Sequence, residues 1–498
     1  MVYKMSCLTF YGGVNEIGGN KILLEDQDRK IFLDFGMSFS LTNKYFDEFM
    51  QPRKCNGIFD LIEFDLLPDL KGLYRCDYMR HCRCKPEEKP NFDAILLTHA
   101  HMDHSAYIHY IRDDIPIYCT QASKDIMQAL DETSSTGTTE LIWLRESFKM
   151  YINKKGEYSR LQGEKTKVER KYELIDEKTF GVGDTKIDAL PVSHSLEGAT
   201  AYILHTENGT VVYTGDFRFH GYKGNLTRKF IKKAADTEPV ALITEGTRVD
   251  SGDGLTENDV KEGVMERVER TKNLVVVNFP IRDTDRMISF YEVAKNTNRS
   301  LVINLKQAHL LHLFEKSGIS TPRIDDEHIR IYVPRKGWGV FGDDRFPRRI
   351  QYQDYDKWER EFLEHPNIVT ADEIKKEQES FIFRCDFFEL KELIDIRPKD
   401  GSTYIRSVCE PFDIEMELDL EKVKNWLKHF GLFPYHQIHA SGHLNRDELY
   451  YVIGEINPDN IYPIHTEHPK MFREIVNEID RDINVNIVEK GIKYRIGN

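Results

Sequence analysis

No apolar run in this sequence approaches the roughly 18 residues that a membrane-spanning helix requires, so nothing in it calls for a membrane. The opening residues, MVYKMSCLTFYGG, lack the charged start, long apolar stretch and small-residue cleavage site of a secretory signal, and the expected location is cytoplasmic. Cysteine is sparse. Cys7, Cys55, Cys76, Cys82, Cys84, Cys119, Cys385 and Cys409 are too scattered for a disulfide framework and are expected as reduced thiols. Cys76, His81, Cys82 and Cys84 lie close together, but their spacing fits no common structural zinc pattern, and ordinary loop cysteines are expected there. Excess positive charge is missing as well. A net charge of −14 argues against a nucleic-acid binder that works by overall basicity. It leaves room for a local groove, because Lys and Arg gather at 154–171, 218–233 and 345–349, although solvated surface charge is the plainer reading of each alone. Neither internal repeats nor low-complexity segments occur.

At 498 residues the chain exceeds the usual single domain, and two folding units are expected. Its 40% hydrophobic and 31% charged residues describe an ordinary globular protein. Over 1–249 short apolar runs alternate with turn signals: KILLED, KIFLDFG, DAILLTHAH, TKIDALPVSH, TAYILHT, TVVYTGDF and PVALITEG all predict strands. A polar stretch at about 39–90 reads as an insertion or long loop, and a helical region is expected near 121–150. From 250 the pattern changes. LVVVNFP, DTDRMISFYEVAKNT and SLVINLK give strand, helix and strand, the order of a parallel βαβ unit. Leu420, Val423, Leu427 and Phe430 at helical spacing before Gly431 close that module, after which QIHASGH and NIYPIHTEH return to the strand-and-turn pattern of 1–249. The expected organisation is therefore one domain built from 1–249 and 432–498, interrupted by an inserted α/β domain at 250–431.

The densest chemistry lies in His99-Ala100-His101-Met102-Asp103-His104, directly after an apolar strand. Alternation points His99 and His101 the same way, and a following turn can bring Asp103 and His104 to a second position. Three imidazoles and a carboxylate at this density suit zinc or a similar divalent ion, and they are too many for one open metal on a strand end, so two metals are expected. Further ligand candidates also follow apolar runs: His194, Asp216 and His465. Asp216 is the natural bridge between two cations.

With these residues in view, the sequence resembles the metallo-β-lactamase fold, and within it the β-CASP nucleases that include ribonuclease J-like enzymes. The resemblance runs from Gly12-Gly13-Val14-Asn15-Glu16-Ile17-Gly18-Gly19-Asn20 through Leu33-Asp34-Phe35-Gly36, the His99–His104 box, His194 and Asp216. It continues to Glu245, the His439-Ala440-Ser441-Gly442-His443 box and His465. It implies an αββα sandwich carrying an inserted α/β β-CASP domain. One zinc would be held by His99, His101, His194 and Asp216, the other by Asp103, His104, Asp216 and His465, with manganese as a substitute. Asp34 would fix a ligand histidine. Glu245 and His443 match the pair that delivers a proton to the leaving oxygen, Asp103 would also orient the attacking water, and Ser441 and Gly442 would meet a phosphate. For His439 a structural role is slightly favoured.

The function so implied is hydrolysis of single-stranded RNA, by 5′-to-3′ exonuclease or endonuclease action, in a cleft between the two domains. A histidine at the position of His465 favours RNA; DNA stays open as a substrate, and so does a homo-oligomer. Two departures stand out. The sequence runs 33 residues past His465, short of the family's C-terminal dimerisation domain, and Ile464-His465-Thr466-Glu467-His468 differs from the usual His-Gly-Glu. The stretch at 39–90 is longer than expected and is a candidate cap over the site. The rival readings are a DNA-acting nuclease, a small-ester hydrolase, which would lack the insertion, and a non-catalytic scaffold, which would have lost ligands.

Overall fold

The computed structural model describes all residues except 1–4, 48, 83–85, 135–139, 162–165, 253, 412–413 and 498. The chain forms two compact units. The first gathers residues 1–219, 223–253 and 442–498; the second comprises 220–222 and 254–441. The strand His436–Gln437 pairs with Thr403–Arg406, which keeps residues beyond 431 with the second unit.

In the first unit two seven-stranded sheets lie face to face. One runs in the order Tyr172–Leu174, Ile117–Cys119, Ala94–Leu96, Arg29–Leu33, Lys21–Asp26, Cys7–Gly12, Lys493–Arg495. The other runs Thr179–Val182, Thr185–Pro191, Thr200–Thr206, Gly209–Tyr213, Ala241–Glu245, Asn460–Ile464, Asn484–Val485. Alternate residues of both interleave in one core: Leu8, Ile22, Leu24, Ile31 and Leu33 from the first sheet meet Ile187, Tyr202, Leu204, Val211 and Ile243 from the second. The outer face of the second sheet buries Ile203, Val212 and Leu242 against the helices Gly224–Ala235, Arg446–Ile456 and Met471–Ile479. Each helix offers one apolar stripe, Phe230 with Ile231 and Ala234 in the first of them, as a surface helix must.

Direction matters more for the site than layering does. Gly209–Tyr213, Ala241–Glu245 and Asn460–Ile464 run parallel, and Thr185–Pro191 shares their direction through two antiparallel pairings. In the opposing sheet Arg29–Leu33 and Ala94–Leu96 are likewise parallel. Residues that leave these strands at their carboxyl ends therefore emerge at common edges.

The second unit holds a seven-stranded sheet, ordered Ile368–Val369, Ile329–Tyr332, Ser300–Asn304, Phe381–Arg384, Val275–Asn278, Thr403–Arg406, His436–Gln437, all pairs parallel. Its strands are continuous apolar runs such as Val275-Val276-Val277 because both faces are covered. The helix Ile414–His429 buries Val423 and Leu427, with Leu420 and Phe430 packed beside them.

Three sequence expectations change. The helix expected near 121–150 covers only Gln121–Thr133; Trp143–Leu144 and Met150–Ile152 are strands, since the residues after Thr133 are poor helix formers. The stretch at 39–90 contains the short helices Phe39–Tyr45 and Phe59–Glu63. Within the basic cluster 154–171, Arg170 is no surface charge: it is buried and donates to the backbone carbonyls of Ile108, Ile111 and Arg112. Cys84 lies outside the described residues, and Cys76, His81 and Cys82 enter no metal-capable group among the described ones. No described helix is long and apolar enough to cross a membrane.

Candidate metal centre

The strand Ala94–Leu96 is fully buried and ends in an extended segment that carries His99 and His101. The His101 carbonyl then accepts from the backbone N–H groups of His104 and Ser105, closing the turn Met102–Ser105 that swings Asp103 and His104 round. This turn is zipped to the neighbouring loop: Asn20 N–H donates to the Asp103 carbonyl, Phe35 N–H to that of His104 and Met37 N–H to that of Met102, at 2.8–3.0 Å. His194, Asp216 and His465 leave the second sheet just beyond Pro191, Tyr213 and Ile464, and Glu245 ends its strand. His465 adopts the left-handed backbone conformation (φ 50°), as does Asp34 (φ 56°). For residues other than glycine that conformation is uncommon, and it clusters at functional sites.

These side chains converge on two groups sharing one carboxylate. His99, His101, His194 and Asp216 form the first; Asp103, His104, Asp216 and His465 the second. In the first, His101 Nδ1 lies 2.9 Å from His99 Nε2 and 3.1 Å from His194 Nε2, and Asp216 Oδ2 is 3.7 Å from His99 Nε2. In the second, Asp216 Oδ2 is 3.1 Å from His104 Nε2 and 3.5 Å from His465 Nε2, while Asp103 Oδ2 is 3.1 Å from His465 Nε2 and 3.8 Å from His104 Nε2. Ligand atoms about 2.0–2.1 Å from a tetrahedral zinc stand roughly 3.3 Å apart, the spacing of both groups. The other oxygen of Asp216, Oδ1, is buried without a hydrogen-bond partner, as suits a carboxylate meant for a cation. The donor set therefore fits divalent metal.

The tautomers agree. His104 Nδ1–H donates to Asp34 Oδ2 at 2.7 Å, His194 Nδ1–H to the Gly442 carbonyl at 2.7 Å, and His99 Nδ1 meets the Thr98 hydroxyl at 3.0 Å. His465 Nδ1 meets the Thr247 hydroxyl at 2.8 Å. With each Nδ1 engaged, each Nε2 turns a lone pair into the centre. Asp34 is itself fixed by the Thr98 N–H and hydroxyl and by the Tyr213 hydroxyl.

Burial, aided by neighbouring imidazoles, lowers His99 well below the ordinary histidine range, and burial with His101 does the same to His194, so both rings are neutral, as a metal ligand must be. His104 goes the other way: burial opposes its charge, but Asp216, Asp103 and Asp34 outweigh burial and hold it well above that range. That corner of the site demands positive charge, which a proton or a metal ion can supply.

A third group, Asp216, Glu245, His443 and His465, adjoins these. Glu245 Oε1 accepts the Phe217 N–H at 3.1 Å; its Oε2 accepts the Thr247 hydroxyl at 2.7 Å and His443 Nδ1–H at 2.8 Å. Burial pulls the His443 pKa down, but Glu245 and then Asp216 more than reverse this and raise it to about 9. Thr247, within 3.2 Å of His443 Nδ1 as well, was not anticipated from sequence, although it stands two residues after Glu245 in the same strand-end segment. In the second unit, His439 Nδ1 lies 3.0 Å from Arg286 Nη1, and the Ser441 carbonyl is 2.8 Å from His220 Nε2. Gly442, across the unit boundary from Ser441, supplies the carbonyl that holds His194.

Comparison with known proteins agrees with this geometry. The beta-lactamase superfamily domain matches residues 62–234, and the Zn-dependent metallo-hydrolase RNA specificity domain matches residues 435–487. The chain is similar to ribonuclease J of Mycoplasma pneumoniae, 20% identical over 97% of this chain and 71% of that one. It is similar to ribonuclease J of Helicobacter pylori too, 23% identical over 98% of this chain but only 60% of that protein's length. Among solved structures, a protein of unknown function from Enterococcus faecalis V583 superposes with a TM-score of 0.71 at 21% identity, covering 99% of this chain and 100% of the other.

Proposed function

We propose that the chain is a metal-dependent ribonuclease of the ribonuclease J-like β-CASP branch of the metallo-β-lactamase fold. The observation that carries this reading is the meeting of two ligand groups on Asp216 beside a separate histidine–carboxylate pair, Glu245 with His443. We read the metals as two zinc ions, replaceable by manganese. Bound there, they would supply Lewis acidity, lowering the pKa of water and offsetting the charge of a phosphate.

The chain's own residues do the rest. His99, His101 and His194 would hold one ion, and Asp103, His104 and His465 the other, with Asp216 common to both. The second oxygen of Asp103 is available to accept a hydrogen bond from the attacking water and orient it. Glu245 accepts a hydrogen bond from Nδ1–H of His443, which leaves the Nε2 proton as the one to be delivered to the departing ribose oxygen. Ser441 and Gly442 are small enough for backbone N–H groups to approach a phosphate. The scaffold reading is not favoured, because every expected ligand is present, and a small-ester hydrolase has no use for the 188-residue segment 254–441.

The test is cleavage of single-stranded RNA, labelled at either end, by wild type and His443→Ala. We expect chelator-sensitive cleavage by wild type and a loss of about 10²- to 10⁴-fold in kcat for the variant at unchanged metal content. Absence of chelator-sensitive cleavage would sink the proposal, and equal cleavage by the variant would remove His443 from it.

A further inference from the structure

Residues 149–160, KMYINKKGEYSR, carry Lys149, Lys154, Lys155 and Arg160 against the single carboxylate Glu157, in a chain whose net charge is −14. They form an antiparallel hairpin, Met150–Ile152 with Tyr158–Arg160. Its turn is fixed: Asn153 Oδ1 accepts the N–H groups of Lys155 and Glu157 at 2.8 and 3.1 Å, so the two tip lysines are presented by an ordered loop.

Met150 pairs directly with Arg160 and Ile152 with Tyr158, which puts all four on one face. That face is bare, with Met150 57%, Ile152 62% and Tyr158 76% exposed. An isolated two-stranded ribbon cannot bury its own apolar residues, so these stand ready for a ligand.

At the base of the hairpin, Met150 and Arg160 line a cavity of about 800 Å³ together with Lys54, Arg80 and Phe148. Its two carboxylates are already engaged: Glu140 accepts from Arg75 Nη1 at 2.6 Å and from the Arg145 N–H at 3.0 Å, and Glu146 pairs with Lys149 at 2.8 Å. Lys54, Arg80, Lys154, Lys155 and Arg160 form no ion pair among the described residues. The Arg80 guanidinium lies 5.1 Å over the Phe148 ring. The floor is rigid, because Tyr78 packs on Phe148, His109 and Tyr110, and His109 follows the metal-binding turn by a few residues.

We propose that this hairpin face and the basic cavity at its base form a second binding surface for single-stranded RNA, one that shares no residue with the metal centre. The proposal rests on the ribonuclease reading. Cations with no ion pair among the described residues meet phosphates, while the exposed Tyr158 offers a ring face on which bases stack whatever their sequence.

The test measures binding of metal-loaded, full-length protein to a labelled phosphorothioate RNA of roughly 20 nucleotides, longer than the ~4–16 that one such surface spans. For the triple variant Lys154→Gln, Lys155→Gln, Arg160→Gln we expect Kd at low salt to rise about tenfold or more, and the slope of log Kd on log salt to fall by about 2, or ~0.7 per lost phosphate contact. Tyr158→Ala should raise Kd about fivefold or more with the slope unchanged, a split that misfolding would not produce. Wild-type Kd and slope in both variants would overturn the proposal, and so would capture of poly-glutamate by the hairpin with RNA affinity untouched, which would assign the surface to an acidic protein. Failure of the ribonuclease reading is a separate result: it would show as absent RNA cleavage by wild type, while hairpin-dependent RNA binding would still support this surface.

Discussion

Thr247 is the smallest part of the metal centre and touches the most of it. Its hydroxyl donates to Glu245 and faces Nδ1 of both His465 and His443, linking a metal-ligand candidate to the Glu245–His443 pair. Thr247→Val keeps the volume and deletes the hydroxyl, leaving the His465 N–H without an acceptor. Metal affinity, measured by competition with a chelator, is expected to fall about 10- to 100-fold, the usual effect of losing a group that orients a metal-bound histidine. An unchanged affinity would show that the threonine only fills space. At this scale legibility in the sequence followed residue type. Three histidines and an aspartate in six residues announce a metal, because nothing in an ordinary core requires them. A threonine after a strand is an ordinary residue, and only the fold brings it against two histidines more than 190 positions away. Buried charges were hidden for the same reason: Arg170 and Arg218 read as surface, yet both are enclosed.

Among the elements, the loop 12–20 and the turn after Leu33 act as a mould for the metal-binding turn. A methyl group on Gly36 would stand 1.7 Å from the Asp103 carbonyl oxygen and 2.4 Å from the His104 nitrogen, both backbone atoms that cannot step aside. Gly36→Ala should therefore displace Asp103 and His104 together, destabilising the protein by about 1–3 kcal/mol in urea unfolding and lowering its metal content. Full metal content in a stable variant would refute this. The same mould is tied by Lys21, whose buried ammonium donates to the Gly19 and Gly36 carbonyls at 2.8 Å each. Burial, against the pull of Glu16, brings its pKa down from 10.5 to about 7. From pH 7 upward the folded protein releases this proton while the unfolded chain keeps it, so the residue adds stability as pH rises and adds none below 7. Lys21→Met should flatten the stability–pH curve between pH 7 and 10 by up to about 1.4 kcal/mol per unit, read by urea unfolding across that range. Parallel curves for the two proteins would place the Lys21 pKa outside that window. Strand positions were readable because apolar runs bounded by turn residues have few alternatives. The helix end at Thr133 and the hairpin after it were not, because helix and strand signals are weak where charge dominates.

For the whole molecule, metal should act as a ligand of the folded state. Removing it with a chelator is expected to lower the unfolding free energy by about 2.7 kcal/mol for each site that was held at a hundred times its Kd. A denaturation curve that does not move on chelation would contradict a structural share for the metals. The sequence pattern changes at 250 and again near 431, whereas the second unit extends to Ser441; that boundary was not legible, since it falls inside one short motif. That interrupted arrangement also sets a clock. Asp103 meets His465 across 362 residues of chain, and at ~5–20 residues per second a ribosome needs roughly 20–70 s to make them. Throughout that interval the nascent protein lacks His465 and with it a complete second ligand group, although Asp216 completes the first group early on. On the ribonuclease reading proposed above, cleavage of RNA would wait until the ribosome has read past the stretch of message between Asp103 and His465.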